Sequence, residues 1–161
     1  MTLVAKLLTP ADVVLDMQVS SKKRLFEQVG LLFENQHALA RSVVFDSLFA
    51  RERLGSTGLG QGVAIPHGRI KGLKEALGAF IRVAQPVPFD APDGTPVGLV
   101  FVLLVPEKAT EKHLQILSEL AQMFSDKALR ETMSRAPDAA ALHQLVTAWQ
   151  PDAAGQRRAA A

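Results

Sequence analysis

The sequence predicts one α/β domain, in which a β-sheet is flanked by helices on both sides. Segment 97–105 is apolar almost throughout, which is typical of a strand buried on both faces. Segments with apolar residues at helical spacing lie before and after it. The length of 161 residues fits one domain, which we assign to residues 1–150. Residues 151–161 are small, polar and Ala-rich, so we expect a disordered C-terminal tail.

Composition and charge exclude several classes of protein. The 18 Lys and Arg against 16 Asp and Glu give a net charge of +2, which is too small to indicate a nucleic-acid partner. The absence of cysteine excludes disulfides, thiolate metal sites and a Cys nucleophile, and it fits a reducing cytosol. The longest strongly apolar run, 99–105, is far shorter than the roughly 20 residues of a membrane helix. Segment 1–10 is too short for a signal peptide and is interrupted by Lys6. We therefore expect a cytoplasmic protein that does not insert into a membrane.

Two helices are predicted after a short strand at Val13, Val14 and Leu15. The first is capped by Ser20 or Ser21, and its apolar stripe consists of Leu25, Phe26, Val29, Leu32 and Phe33. A link over residues 35–40 joins it to the second helix, which starts after Arg41 or Ser42. The second helix is predicted to end at a cap formed by Gly55. The side chains predicted to face the core are Val43, Val44, Leu48 and Phe49.

Glycine and proline divide the middle of the chain. Four glycines within residues 55–62 predict a loop whose backbone can approach a ligand closely. Residues 63–65 form a short predicted strand that Pro66-His67-Gly68 ends, and residues 76–83 form another. Four prolines in segment 86–96 predict a surface loop and turn.

Three further helices are predicted after segment 97–105. The first opens at Thr110 or Glu111, and its predicted buried face is Leu114, Leu117, Leu120, Ala121 and Phe124. Asp126 is the predicted cap of the second, over residues 127–134. The last follows Pro137-Asp138, stops at Pro151 and buries Leu142, Leu145, Val146 and Trp149.

His67 is the strongest candidate for chemistry because of the residues around it. Pro66 restricts the backbone on one side, and Gly68 removes bulk on the other. A strand end followed by a turn would place the ring at a rim, beside the backbone N–H groups of the Gly-rich loop. Hydroxyl and cationic groups lie nearby in the sequence, on Ser56, Thr57, Arg51, Arg53, Arg69 and Lys71. Phosphoryl transfer to a histidine requires this combination of a nucleophile, N–H donors and positive charge.

The residues alone leave other interpretations open. A lone histidine is more often structural, and the Gly-rich loop matches neither the P-loop nor the dinucleotide pattern. His113, near a helix start after a buried strand, either orients His67 or is a solvated helical residue. His37 and His143 are interpreted as structural. The spacing of metalloprotease ligands and the nucleophile elbow of hydrolases are both absent, so metal binding and hydrolysis are disfavoured.

Two stretches of the sequence resemble a known family. Segments 51–58 and 62–68 closely resemble the signature of the fructose/mannitol-type (type 2) IIA proteins of the phosphoenolpyruvate-dependent phosphotransferase system, most of all their nitrogen-regulatory branch. The later landmarks Phe89-Asp90, Pro96-Val97 and His113-Leu114 also resemble that family. The resemblance covers roughly residues 5 to 149 and implies an α/β fold with a mixed β-sheet flanked by helices.

The resemblance implies a role for individual residues. It implies that His67 is the phosphoryl acceptor, that His113 lies beside it, and that Arg51 borders the site. Ser56, Thr57 and Gly68 are expected to support the phosphate site, and neither a metal nor another cofactor is expected. The implied protein is a phosphotransferase-type carrier with a phosphohistidine intermediate and no turnover of a small molecule.

The resemblance also implies partners. An HPr-like phosphocarrier is the expected donor, and a transporter or sensor kinase is the expected regulated target. The first alternative is a sugar-specific IIA component that passes phosphate to a IIB partner. The second is a binding module for which phosphorylation is minor. The sequence leaves open whether phosphate moves onward or serves only as a signal.

Overall fold

The computed structural model describes residues 2–108 and 111–151 of the chain. Within these residues it contains six strands: β1 (Val13–Met17), β2 (Gly58–Gly60), β3 (Val63–Ala64), β4 (His67–Ile70), β5 (Leu77–Val87) and β6 (Val97–Pro106). The helices are α1 (Leu3–Leu7), α2 (Lys22–His37), α3 (Arg41–Glu52), α4 (Glu111–Phe124), α5 (Lys127–Arg135) and α6 (Ala139–Ala148). None of the helices in the described part of the chain has the length and apolar character needed to cross a membrane.

Strand β6 is the centre of a mixed sheet with the order β1-β5-β6-β3-β2, and β4 also pairs with β6. Strand β5 runs antiparallel to β6, whereas β3 and β4 run parallel to it. Seven consecutive residues of β6, from Leu99 to Val105, are buried. The predicted doubly buried strand and the predicted α/β class with a mixed sheet are therefore confirmed.

Helices cover both faces of this sheet, as predicted. Because side chains alternate along a strand, Leu99, Phe101 and Leu103 pack into one core with residues of α1, α4, α5 and α6. Val100, Val102 and Leu104 pack into a second core with residues of α2 and α3. The helices on the second side are the ones that approach β4.

Side chains cap three of the helices, and two of these caps, Ser21 and Asp126, were predicted from the sequence. The side chains of Ser21, Asp126 and Asp138 accept the N–H groups of Arg24, Leu129 and Ala141. Each bond satisfies a backbone donor that has no partner within its own helix.

Two predicted helix faces differ from the structure. In α3, Val44 and Leu48 are buried, but Val43 is 47% exposed. In α4, Leu114 is 61% exposed and Ala121 is also exposed. The buried face of α4 is instead Ile116, Leu120, Met123 and Phe124. Helix α4 carries apolar residues on more than one side, so periodicity alone did not identify the side that packs on the sheet.

Several predicted boundaries also move. Helix α2 continues to His37, which shortens the link to residues 38–40, with Ala38 in the left-handed conformation. Helix α3 is capped by Arg53, and Gly55 lies two residues beyond that cap. Strand β5 runs on to Val87, and Phe89 is buried, so segment 86–96 is only in part a surface loop. Thr110 and the predicted tail over 152–161 lie outside the described residues.

The Gly-rich segment and the residues after it form strands that were not predicted. Gly58–Gly60 is strand β2, which pairs antiparallel with β3. The intervening turn has positive φ values of 86° at Gly60, 59° at Gln61 and 79° at Gly62. Glycine adopts this region without steric cost, which suits two of the three positions. Strand β4 begins directly at His67. The prediction of a turn at Pro66-His67-Gly68 is therefore wrong.

Candidate functional site

His67 is the first residue of β4, and its ring is half-buried and oriented by a hydrogen bond. Pairing of β4 with β6 places His67 opposite Leu103. The ring Nδ1 lies 2.8 Å from the carbonyl oxygen of Ile65. Because a carbonyl only accepts, Nδ1 carries the proton, and Nε2 of the neutral ring keeps its lone pair. The local fold therefore makes Nε2 the ring nitrogen that carries the lone pair.

The surroundings of His67 favour the neutral ring. Burial lowers the pKa of His67 below its ordinary value of 6.5, although the hydrogen bond to Ile65 opposes this. The positive charges of Arg51 and His113 lower the pKa further, and the carboxylate of Glu52 raises it. At neutral pH the ring is therefore mostly unprotonated, as a nucleophile must be.

The fold brings Arg51 and His113 close enough to His67 to act on its charge. Arg51 lies in the last turn of α3, and its Nη1 donates to the Gly55 carbonyl oxygen at 2.8 Å. His113 is the third residue of α4. Arg53, the other candidate from α3, lies over the ring of Phe49 at 5.3 Å. The candidate site therefore combines one oriented imidazole, a guanidinium and a second imidazole.

The hydroxyls of Ser56 and Thr57 have partners within the protein. Thr57 is 6% exposed, and its hydroxyl donates to Glu52 Oε2 at 2.6 Å. The Ser56 hydroxyl donates to the Phe89 carbonyl oxygen at 2.6 Å and accepts the N–H of Gly58 at 3.0 Å. Both side chains hold the loop in place. Their role as donors to a phosphoryl group stays a prediction.

Gly68 lets α3 approach β4 closely. A Cβ at this position would clash with the Ser47 hydroxyl and lie 3.1 Å from the carbonyl carbon and oxygen of the same residue, closer than most Cβ contacts in proteins. Ser47 also donates its hydroxyl to the Arg69 carbonyl oxygen at 2.8 Å. The close approach of the two elements brings the end of α3, with Arg51, to the His67 end of β4.

Glu52 is a residue of this region that the sequence did not single out. Its side chain is 4% exposed and forms an ion pair with Lys22 at 2.9 Å. A glutamate at a helix end gives no periodic signal, and its ion partner lies on another helix. Its position directly after Arg51 in the family signature was the available clue.

Metal chemistry has no candidate ligand set in residues 2–108 and 111–151. No group of three or more His, Asp or Glu residues there is arranged to hold a metal ion. The chemistry that this part of the chain offers is that of an oriented imidazole beside positive charge.

The protein is thus an α/β domain in which a half-buried, oriented histidine lies near Arg51 and His113. Residues 6–149 match the model of a family described as the phosphoenolpyruvate-dependent sugar phosphotransferase system EIIA 2. Since the match covers most of the chain, the protein belongs to this family of IIA-type phosphocarriers.

Three relatives show which branch the chain is similar to. It is 44% identical over 142 residues to a nitrogen regulatory protein of Pseudomonas aeruginosa, covering 88% of this chain and 92% of the relative. It is 56% identical to the crystal structure of the nitrogen regulatory protein IIA-Ntr of Neisseria meningitidis, with a TM-score of 0.86 and coverage of 91% and 100%. A fructose-specific EIIA component of Haloferax volcanii is 38% identical over 96 residues, or 60% of this chain and 62% of the relative. The predicted resemblance to nitrogen-regulatory IIA proteins is confirmed.

Proposed function

We propose that this protein accepts a phosphoryl group on Nε2 of His67 from an HPr-like phosphohistidine protein and acts as a regulatory IIA. The observation that carries the proposal is the bond from Nδ1 of His67 to Ile65, which leaves the Nε2 lone pair free to attack. The identity of 44% to a nitrogen regulatory protein supports the regulatory role.

The proposed step is an in-line displacement at phosphorus. Nε2 of His67 forms the new N–P bond while the N–P bond of the donor breaks, and the donor ring leaves with that electron pair. The proton on Nδ1 stays in place, and the Ile65 carbonyl stabilises the positive charge that the ring gains. Arg51 is suited to stabilise the negative charge on the transferring oxygens. The phosphoryl group arrives already activated on the donor histidine, so we propose no cofactor.

Protein partners account for the rest of the proposed cycle. Leu114, which follows His113 in α4, is 61% exposed. Exposed apolar side chains near a reactive group favour contact with another protein. We propose an HPr-like donor on this surface and a transporter or sensor kinase as the regulated target, with no nucleic acid. The absence of cysteine fits a reducing cytosol, where we propose that the protein works.

A sugar-specific IIA that transfers phosphate to a IIB partner is the second candidate. The similarity to a fructose-specific EIIA component of Haloferax volcanii favours it. The two candidates differ in the fate of the phosphoryl group. Rapid discharge of the phosphorylated protein to a purified IIB component would favour the sugar-specific role.

Phosphorylation by a phosphorylated HPr-like carrier tests the proposal. We expect the intact mass of the wild-type protein to rise by one phosphoryl group and that of His67→Ala to stay unchanged. His143→Ala is the control, because this histidine contacts Leu8 on another part of the fold. Full labelling of His67→Ala would overturn the proposal.

A further inference from the structure

A buried carboxylate joins three elements next to the candidate site. Glu52 ends α3, and its Oε1 accepts from Lys22 Nζ of α2 at 2.9 Å. The same oxygen accepts the Thr57 backbone N–H at 3.1 Å, while Oε2 accepts the Thr57 hydroxyl at 2.6 Å. Glu52 therefore holds both the main chain and the side chain of Thr57. Lys22 is itself held over the Phe89 ring at 4.7 Å.

Hydrogen bonds continue from this carboxylate to the ring of His67. The Thr57 carbonyl oxygen accepts the N–H of Ile65 at 3.0 Å. The Ile65 carbonyl oxygen then accepts from Nδ1 of His67 at 2.8 Å. Each residue on the path fixes the next one, so the orientation of the imidazole depends on where Glu52 holds Thr57.

We propose that Glu52 is a positioning residue for phosphoryl acceptance and that it orients the His67 ring through Thr57 and Ile65. This inference rests on the proposed function of His67. A charged carboxylate that accepts three hydrogen bonds fixes its partners more firmly than a neutral group does. A nucleophile needs such fixation, because small displacements from the attacking geometry slow a reaction severely.

The charge of Glu52 also acts on His67 directly. Its carboxylate raises the pKa of the ring, against the effects of burial, Arg51 and His113. As the Nε2 atom attacks phosphorus, the ring becomes more positive, and a nearby carboxylate stabilises that charge. Removal of this charge should therefore lower the pKa of His67.

Four variants separate positioning from simple stabilisation of the fold. Glu52→Gln keeps the shape but loses the charge and one acceptor oxygen. Thr57→Val removes the hydroxyl, and Thr57→Ser retains it. Glu34→Gln is the matched control, because Glu34 forms an exposed ion pair with Arg41 at 2.7 Å, on another part of the α2–α3 pair.

Two measurements are made on each folded variant. Initial rates of phosphoryl transfer, measured in quenched reactions at varied concentrations of a phosphorylated HPr-like carrier, give the maximal rate and the KM for the carrier. Titration of the imidazole C–H signals by NMR gives the pKa of His67 without any phosphoryl donor. We expect Glu52→Gln to lower the maximal rate about tenfold or more with little change in KM, and to lower the pKa of His67.

The remaining variants complete the test. Thr57→Val should slow transfer in the same way. Thr57→Ser, which keeps the hydroxyl, should slow transfer less than Thr57→Val does. Glu34→Gln should transfer at the wild-type rate. Glu52→Gln with a wild-type rate and unchanged His67 titration would overturn the proposal. If Glu52→Gln does not fold, a wild-type rate in folded Thr57→Val would overturn it instead. A wild-type protein that is not labelled at all would overturn the proposed function first.

Discussion

The protonation state of one ring decides whether the site can react. Burial, Arg51 and His113 hold the pKa of His67 below 6.5, while the bond to Ile65 and the charge of Glu52 act in the opposite direction. The folded protein therefore takes up a proton on this ring only below the pH at which a free histidine does. Phosphoryl acceptance should stay constant above neutral pH and reach half its rate below pH 6.5. Initial rates measured against pH, with the donor kept saturating, would check this, and a midpoint above 6.5 would contradict it.

The guanidinium of Arg51 can bind two partners at once. Its Nη1 is bound to the Gly55 carbonyl, so the rest of the guanidinium can bind a phosphoryl oxygen at the same time. A lysine keeps the charge but has no planar fork to serve both partners. Arg51→Lys should therefore slow phosphotransfer by about tenfold, or about 1.4 kcal/mol. A fully active Arg51→Lys would reduce Arg51 to general positive charge.

His113 affects the same ring through its charge. The charge of His113 lowers the pKa of His67, so His113→Ala should raise that pKa. The variant should still be labelled on His67, but it should accept the group more slowly if its ring contacts the phosphoryl oxygens. NMR titration and transfer rates would be measured together. An unchanged titration and unchanged rates would leave His113 as a solvated helical residue.

Helix α3 packs closely on β4 at Gly68, next to the candidate site. A methyl group at Gly68 would press on the Ser47 backbone, so Gly68→Ala should lower the free energy of unfolding by about 1–3 kcal/mol. It should also slow transfer, since Arg51 lies on the displaced helix. Gly98→Ala is the control, because its Cβ would meet no atom within 4 Å. Urea unfolding of both variants would check the difference, and equal stability would contradict it.

The elements that the sequence predicted well are those with a strong local signal. Strand β6 was evident because nearly all of its residues are apolar, and α2 because its apolar stripe follows the Ser21 cap. Strand β4 was missed because His67-Gly68-Arg69-Ile70 has no local preference for a strand. It forms because β6 offers a parallel partner along four residues.

In the candidate site too, the sequence predicted the residues that lie in a local motif but not the contacts that form only across the fold. His67, Arg51 and His113 were named from motif positions, and the structure brings all three together. The bonds of Ser56 and Thr57 within the protein could not be predicted, because they join the loop to Phe89 and Glu52. The burial of Glu52 as a charged group requires its ion pair with Lys22, which lies thirty residues away in the sequence. Only the folded chain brings the two side chains together.

At the scale of the whole molecule, phosphorylation should act as a charge switch for partner binding. A phosphoryl group adds about −1.5 to −2 charge to a surface near His113 and the exposed Leu114 that follows it. A target that docks there would have to bury that charge, so it should prefer the unphosphorylated protein by about tenfold or more. By linkage, the same target should also slow phosphorylation.

Calorimetry with a regulated target would test the switch. His67→Ala should bind as the unmodified protein does. His67→Asp, which carries one negative charge, should bind more weakly. Equal affinities for the phosphorylated and unphosphorylated wild-type protein would indicate a simple phosphate relay.

The central claim is that Nε2 of His67 carries the phosphoryl group. Nitrogen-15 NMR of the imidazole rings, recorded on the protein phosphorylated by an HPr-like carrier, tests it most directly. We expect phosphorus coupling at Nε2 of His67 alone, with the Nδ1 proton still present and bonded to Ile65. Phosphorylation at Nδ1 of His67, at His113 or at another residue would contradict it.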